Sequence, residues 1–299
     1  MDLLELTLDS IGALDPAPAE VVVVSDGSTD GTDDLVKARG LRLLRTDRQG
    51  PGGARNAGWR STDSDVIAFV DDDCVVSPSW LGALTRPFAD DSVGLSQGRT
   101  VPAGPTGRYD RTISVLPEAL LFESCNIAYR RSALTDVDGF DETTFRRLSG
   151  RMLGAGRAAH FGEDTDLGWR VRRKGWKTAY APDAVACHHV FPGTLADALR
   201  EEWRSGNFAF LVRVVPELRS NLPGGRYFLS RQGPLAQTAL VGLVATAVGA
   251  RAGALLALPY LAWLFGTRHR NPRVDVVLRD AVRSASLIVG SARARRLVL

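Results

Sequence analysis

Two stretches of the chain run apolar and then stop on acids: Val21-Val22-Val23-Val24-Ser25-Asp26-Gly27-Ser28, and further on Val66-Ile67-Ala68-Phe69-Val70-Asp71-Asp72-Asp73. Short, near-continuous runs of branched apolar residues read as strands buried on both faces, the central one being Val66 to Val70, in an open and mostly parallel sheet covered by helices. Such sheets bind their ligands in the crevice beyond the carboxyl ends of the strands, where loops vary on a rigid frame. Three adjacent aspartates repel one another unless a cation or donors neutralise them. Carboxylate oxygens suit Mg2+ or Mn2+, ions that also hold diphosphate oxygens. A nucleotide diphosphate carried with its metal follows from that chemistry.

The segments between and after these strands add further candidates. Gly50-Pro51-Gly52-Gly53 is a glycine-rich turn leading into a helix near Ala54, so that Arg55 can reach the crevice or simply lie exposed on the helix. Backbone without Cβ approaches a ligand closely. Glu163 and Asp164 precede Leu167, Trp169, Val171 and Gly175, a helix with acids in its first turn and Arg172, Arg173 and Lys174 in its last. Capping and the helix dipole explain that distribution by themselves. Asp26 and Ser28 likewise suit the end of a strand and the cap of the next helix. His188 and His189 close the apolar run Ala184-Val185-Ala186-Cys187.

In order along the chain stand Asp26-Gly27-Ser28-Thr29-Asp30-Gly31-Thr32, Gly52-Gly53-Ala54-Arg55-Asn56-Ala57-Gly58, the DxD-type Asp71-Asp72-Asp73, Gly139-Phe140-Asp141-Glu142 and Gly162-Glu163-Asp164-Thr165-Asp166. Any one of these is weak; together and in order they resemble the family 2 glycosyltransferases, which have the GT-A fold and use nucleotide-sugar donors. The resemblance implies a Rossmann-like mixed sheet flanked by helices over residues 1–192. It implies that Asp26 contacts the donor base, typically uracil, with Ser28 beside it, and that Arg55 meets the base or the diphosphate. Asp73 becomes the direct metal ligand for Mn2+ or Mg2+, Asp71 a ribose or metal-shell contact, and Asp72 the variable middle position on the donor side. Asp164 takes the role of general base with Glu163 orienting it. One of His188 and His189 becomes a further metal ligand, a buried hydrogen-bonded histidine being the equal alternative. Ser124-Cys125-Asn126-Ile127-Ala128-Tyr129-Arg130-Arg131 resembles the acceptor-side element, with Asn126 lining the sugar pocket.

Two departures stand out. Ser25 occupies the place where the family commonly has a second aspartate, and the opening Asp2-Leu3-Leu4-Glu5-Leu6 reads as the helix that follows the family's first strand. That strand is usually central, and its loss exposes an edge. The expectation is a start assigned too late, with a truly shortened, inactive protein as the alternative. No secretory signal is expected before the domain.

At 299 residues and 44% hydrophobic content, the chain is large enough to bury a full core. Cys74, Cys125 and Cys187 form no CxxC pair and are too few for a disulfide scaffold or structural zinc, which points to a reducing compartment. The net charge of +3 is uneven: residues 200–299 carry 15 arginines against 5 acids, or +10, leaving −7 for the rest. The arginines flank apolar segments and accompany no nucleic-acid motif, so anionic lipid rather than nucleic acid is the expected partner.

Those segments are Gln232 to Ala250 and Ala252 to Thr267, both without charge. The first is just long enough to span a bilayer, which takes ~20 residues. A transmembrane or re-entrant hairpin over 232–267 is the expectation, a buried helical pair the alternative. Arg219, Arg226 and Arg231 before it and Arg268, Arg270 and Arg273 after it put both ends in the cytoplasm. Residues 193–231 read as an amphipathic helical linker that lies on the membrane or packs on the catalytic domain, and 268–299 as a basic tail.

The function expected from all this is an inverting, metal-dependent transfer of sugar from a nucleoside diphosphate, UDP above all, to a hydroxyl acceptor. A lipid-linked or cell-envelope acceptor, at the cytoplasmic face of the membrane, follows only from the apolar segments. A nucleotidyltransferase and an inactive nucleotide-sugar-binding or scaffold protein are the alternatives.

Overall fold

The computed structural model describes residues 2–115, 120–144, 161–222, 227–230, 232–266 and 274–299. The chain divides into two compact units, Met1–Arg146 with Gly162–Pro192, and Arg147–Phe161 with Gly193–Leu299.

The first unit is mixed α/β. Helix α1 (Asp2–Gly12) precedes β1 (Val22–Asp26), α2 (Thr32–Ala38), β2 (Arg42–Thr46), α3 (Gly50–Arg60), β3 (Val66–Val70), β4 (Cys74–Val76), α4 (Trp80–Thr85), β5 (Val93–Pro102), β6 (Asn126–Arg130), α5 (Arg131–Asp136), α6 (Glu163–Arg173) and β7 (Lys177–His188). Instead of one sheet there are two: β1 and β2 pair in parallel, and a second sheet has the order β3-β6-β5-β7-β4. In that sheet only β5 and β7 run parallel; the other neighbours are antiparallel.

Strand β3, expected at the centre, is therefore an edge. A ladder needs a partner on each side, and among the described residues β3 pairs only with β6 and β1 only with β2. Helix α1 fastens the two sheets instead. Its Leu4 and Leu8 pack with Val36, Val23 and Leu43 of the small sheet and its helix. On its other side the Thr7 hydroxyl donates to the Asp72 carbonyl at 3.0 Å, and the Ser10 hydroxyl accepts from the Val76 amide at 3.2 Å. The core of the large sheet holds Leu95, Ile127, Ala128 and Tyr129, all essentially without exposure.

The second unit is helical among its described residues: α7 (Leu195–Arg204), α8 (Phe208–Val214), α9 (Gly233–Ala247), α10 (Leu258–Gly266) and α11 (Val274–Ala294), with 3-10 segments at Ser205–Asn207, Pro216–Asn221 and Arg251–Ala257. Thr194 and Asp197 cap α7 reciprocally, which fixes where that helix starts. The expected transmembrane hairpin is not found, because no described helix is long and apolar enough to cross a membrane. Helix α9 stops after 15 residues and α10 has 9.

Ala209, Phe210, Leu211 and Val212 are buried, and α11 packs along α7 and α8. Most of the described part of 268–299 is the helix α11. Arg226, Arg231, Arg268, Arg270 and Arg273 lie outside the described residues.

What locks α11 to α7 is one buried carboxylate. Glu202 accepts from Arg283 at 2.6 and 2.8 Å and from Arg279 at 3.0 Å, and its backbone carbonyl takes the Ser286 hydroxyl at 2.9 Å. Glu202→Ala removes the shared anion and leaves two cations facing a sealed interface. We expect a loss of about 2–4 kcal/mol in denaturant unfolding, below the fully buried figure because Arg279 keeps some solvent.

Candidate active site

The site forms where β1, β3 and β7 end and α3 and α6 begin. Asp26, the last residue of β1, turns its carboxylate to the start of α3: it accepts from the Gln49 amide at 2.8 Å, the Gly50 amide at 2.7 Å and the Thr46 hydroxyl at 2.7 Å. Two free N–H groups at a helix N-terminus are natural partners for an anion. Asp26 thus anchors the glycine-rich turn, a role its position in the sequence alone does not reveal. Ser28 is exposed in the turn beyond it.

Helix α3 aims Arg55 because Asn56 is clamped. The Asn56 side chain donates to the Phe140 carbonyl at 2.9 Å and to Glu142 at 2.6 Å, and accepts from the Phe140 amide and the Trp59 indole, both at 2.9 Å. Gly139 bends the chain back at φ 67, where a Cβ would run into Asn56 and Trp59. The Gly52–Gly58 and Gly139–Glu142 segments are thus two halves of one joint.

Arg55 ion-pairs with Asp71 at 2.7 Å, and both side chains are mostly buried. Burial opposes the guanidinium's charge, but Asp71, Asp164 and Glu163 together hold its pKa above the ordinary value. The guanidinium also lies 5.8 Å from the centre of the Phe140 ring. Carboxylates from the end of β3 and the start of α6 therefore surround one cation.

Asp72 and Asp73 are both raised above the usual carboxylate range, first by burial and then by their acidic neighbours. His188 lies opposite Cys74 in the β4–β7 ladder and brings its Nε2 to 3.5 Å from Asp73. Its Nδ1 stands 2.8 Å from the His189 carbonyl. A carbonyl only accepts, so Nδ1 donates to it, and the ring is held with Nε2 toward Asp73. His189 goes elsewhere: its ring meets Phe191 edge to face at 4.7 Å, and its amide donates to the Asp73 carbonyl.

Ligand atoms of Asp73, Cys74 and His188 lie within 4.8 Å of one another. The hydrogen bond to Cys125 and then burial drive the Cys74 thiol far above its ordinary value, so it stays protonated and is a poor ligand. What remains is an oxygen and an imidazole nitrogen facing each other beside two further aspartates. That donor set suits a divalent cation of the Mg2+ or Mn2+ kind.

Beside these acids lies a cleft of about 430 Å³ lined by Leu3, Leu4, Asp30, Thr32, Asp72, Asp73 and Phe191. The first turns of α1 and α2 supply Leu3, Leu4 and Thr32 of that wall. Asp30 is shaped for it by accepting from the Thr32 hydroxyl at 2.6 Å.

Asp164 stands in the first turn of α6, half-buried. Its carboxylate accepts from the Thr165 amide at 2.8 Å and from the Ser124 amide at 3.3 Å. Burial, then the charge of Glu163, push it up to about 7, against the lowering pull of Arg55 and the two amides. Glu163 is buried and raised as well, chiefly by burial. Glu123 is a carboxylate the sequence reading missed. Burial pushes it up to about 7, and Asp164 is close enough to add to the effect. No motif marks it; only its place on the loop beside Asp164 does.

Asn126 does not line a pocket. It is fully buried, accepts from the Trp80 indole at 2.8 Å, and donates to the carbonyls of Arg99 at 3.0 Å and Ala184 at 2.9 Å. With its amide spent on three core partners it has nothing left for a sugar.

Two family models cover this architecture between them. Glycosyl transferase family 2 matches residues 2–147 and the glycosyltransferase-like family 2 model residues 119–207. The chain belongs to the family 2 glycosyltransferases. It is similar to a pre-mycofactocin glycosyltransferase of Mycobacterium tuberculosis, 34% identical over 188 residues, which are 56% of this chain and 37% of that protein. It is also similar to the succinoglycan biosynthesis protein ExoO of Rhizobium meliloti, 30% identical over 212 residues, 67% of this chain and 60% of the relative. The chain thus spans roughly a third to two thirds of these relatives' lengths. Among solved structures, the mannosyltransferase PcManGT of Pyrobaculum calidifontis, in complex with GDP-Man and Mn2+, aligns with a TM-score of 0.62 at 20% identity, covering 98% of this chain and 83% of that one. The fold is accordingly GT-A-like mixed α/β.

The placement of Asn126 is open to a direct check. Asn126→Ala strands the Trp80 indole and two carbonyls in the core, and we expect a stability loss of about 3 kcal/mol in denaturant unfolding. A pocket residue would change acceptor KM and leave the unfolding midpoint alone.

Proposed function

We propose that the chain is an inverting glycosyltransferase that moves a sugar from a nucleoside-diphosphate donor to a hydroxyl acceptor with the help of a divalent cation. The observation that carries this reading is the convergence on Arg55 of Asp71 from the DxD end of β3 and of the Glu163–Asp164 pair from α6. It puts a donor-side acid cluster and a raised carboxylate in one electrostatic unit. Asp73 and His188 would hold the cation, with Asp71 beside them; bound there, it would neutralise charge building on the leaving diphosphate.

The chain's own residues do the rest. The cleft above Asp72 and Asp73 takes the nucleotide, with Asp30 and Thr32 at its rim. Asp164, ionised, accepts the proton of the acceptor hydroxyl as the new C1–O bond forms, while the bond from C1 to the diphosphate breaks on the opposite face. A base whose pKa lies near operating pH is suited to that proton transfer. Glu163 raises Asp164 by its charge, and the Ser124 and Thr165 amides hold its oxygens in place.

The likeness to a mannosyltransferase bound to GDP-Man and Mn2+ supports a nucleotide sugar and a divalent ion, and leaves GDP beside UDP as the base to test. The likeness to a succinoglycan biosynthesis protein supports a cell-envelope glycan as acceptor. Free thiols at all three cysteines accord with work at the cytoplasmic face of the membrane.

The experiment is nucleoside-diphosphate release from a panel of UDP-, GDP- and dTDP-sugars with Mn2+ or Mg2+. Asp164→Asn should lose about 10²–10⁴-fold in transfer while still binding donor; near-normal turnover would remove Asp164 as the base.

The pH dependence has a defined sign. Transfer needs Asp164 ionised, so kcat/KM should rise with pH through about 7. The same raised pKa means the folded state holds this proton more tightly than the unfolded chain. Its contribution to stability is present at low pH and is lost as pH rises toward and through about 7. Asp164→Asn should therefore unfold at higher denaturant than wild type at pH ~8, and the gap should narrow as pH falls and close only below about pH 4, the ordinary carboxylate range.

A further inference from the structure

The segment from α9 to α10 is built inside out for a protein that meets only water. Where α9 crosses the 3-10 segment Arg251–Ala257, the contact is backbone on backbone: a Cβ on Gly253 would sit 2.7 Å from the Gly242 carbonyl and 2.9 Å from Ala245. Glycine and alanine make this crossing; α10 turns Tyr260 and Leu264 inward against Ala236 and Ala239, but the large side chains on the other face of α9 and around the apex are left outside. Val244 is 57% exposed, Val248 80%, Leu255 64% and Phe265 65%. From Gln232 to Gly266 the one charged residue is Arg251, at the apex between Val248 and Leu255.

Soluble helices put leucine and valine inward and charge outward. Small residues at the crossing with large apolar ones outside is the arrangement of helices surrounded by lipid, and an exposed apolar patch this continuous marks an interaction surface. A helix of 15 residues reaches ~22 Å, short of the ~30 Å hydrocarbon core, so the segment can enter a bilayer without crossing it.

We infer that the α9–α10 hairpin is an interfacial anchor that inserts its apolar tip into the headgroup boundary of an anionic bilayer. Charge decides for lipid over a second copy of the chain. Among the described residues no acid pairs with Arg251, and residues 200–299 carry 15 arginines against 5 acids. Two copies meeting tip to tip would face Arg251 with Arg251, whereas a phosphate-bearing surface gives the guanidinium a partner while its stem lies along the acyl boundary.

The test is flotation of the full chain with vesicles of phosphatidylcholine alone and of phosphatidylcholine mixed with phosphatidylglycerol. Wild type should float with the mixed vesicles and much less with the neutral ones. Val244→Glu combined with Val248→Glu and Leu255→Glu should cut the bound fraction at least ~10-fold, and Arg251→Gln should lower the preference for anionic vesicles ~5-fold. All these positions are exposed, so the thermal midpoint should stay within a degree or two of wild type and show that the loss is not unfolding. Failure of wild type to float with either composition overturns the inference. So does a dimer in sedimentation velocity that the same glutamates disperse, which would make the face a contact between copies.

Discussion

Everything in the candidate site leans on one buried cation. Asp71, Glu163 and Asp164 come from the end of β3 and the start of α6, and without Arg55 they would repel one another at partly buried positions. Removing a guanidinium from water is costly, and only several carboxylates at close range offset that cost. Arg55 is therefore both held by the acids and the reason they can sit together. Its position is set from behind by Asn56, whose amide is used on Phe140, Glu142 and Trp59. Helix α3 cannot turn on its axis without breaking that joint, so the register of one helix fixes the electrostatics of the whole cleft.

This explains why the order of motifs was readable and their duties less so. The apolar runs ending at Asp26 and Asp71 announce strands because a buried strand has no polar residue to hide, and both form where the sequence places them. Asp26 has a further duty the motif does not announce, because its carboxylate also holds the N-terminus of α3, a neighbour twenty-odd residues away in sequence. Asn126 is the sharper case. A polar residue opening a strand can face a pocket or the core, and the choice was made by Trp80, Arg99 and Ala184, none of them near it in sequence. The two histidines could not be ranked by composition either. The pairing of His188 with Cys74 brings His188 to Asp73, whereas His189 lies just past the end of β7 and packs its ring on Phe191, which His188 also meets edge to face.

The divided sheet follows from the same kind of non-local fact. Strand β3 has the composition of a central strand but, among the described residues, one strand neighbour, and several of its residues keep partial exposure as a result. Helix α1 takes over the joining that a ladder would have done, with leucines on one side and two hydroxyls on the other. That substitution brings Leu3 and Leu4 to the wall of the cleft, an apolar element that no motif foretold. A side-chain clamp is less stiff than a row of backbone hydrogen bonds, so the relative placement of β1 and β3 depends on how well α1 is packed.

The strength of Asp164 as a base is likewise a property of packing rather than of any motif. The loop before β6 holds Leu120 and Phe122 at φ 53 and 56, a left-handed conformation that non-glycine residues adopt at a cost. That conformation persists because α6 grips it: Thr165 donates to the Leu121 carbonyl at 2.6 Å, Trp169 donates to the Leu120 carbonyl at 3.1 Å, and Phe122 fills the space a side chain on Gly168 would need. The strained loop in return aims the Ser124 amide at Asp164 and sets Glu123 beside it. Arg55 and the amides favour the ionised form, whereas burial and Glu163 favour the proton, and the second pair wins. Each unit of that contest is worth ~1.4 kcal/mol, so loosening the loop enough to admit water would return Asp164 toward an ordinary carboxylate, ionised at every physiological pH but with less affinity for a hydroxyl proton.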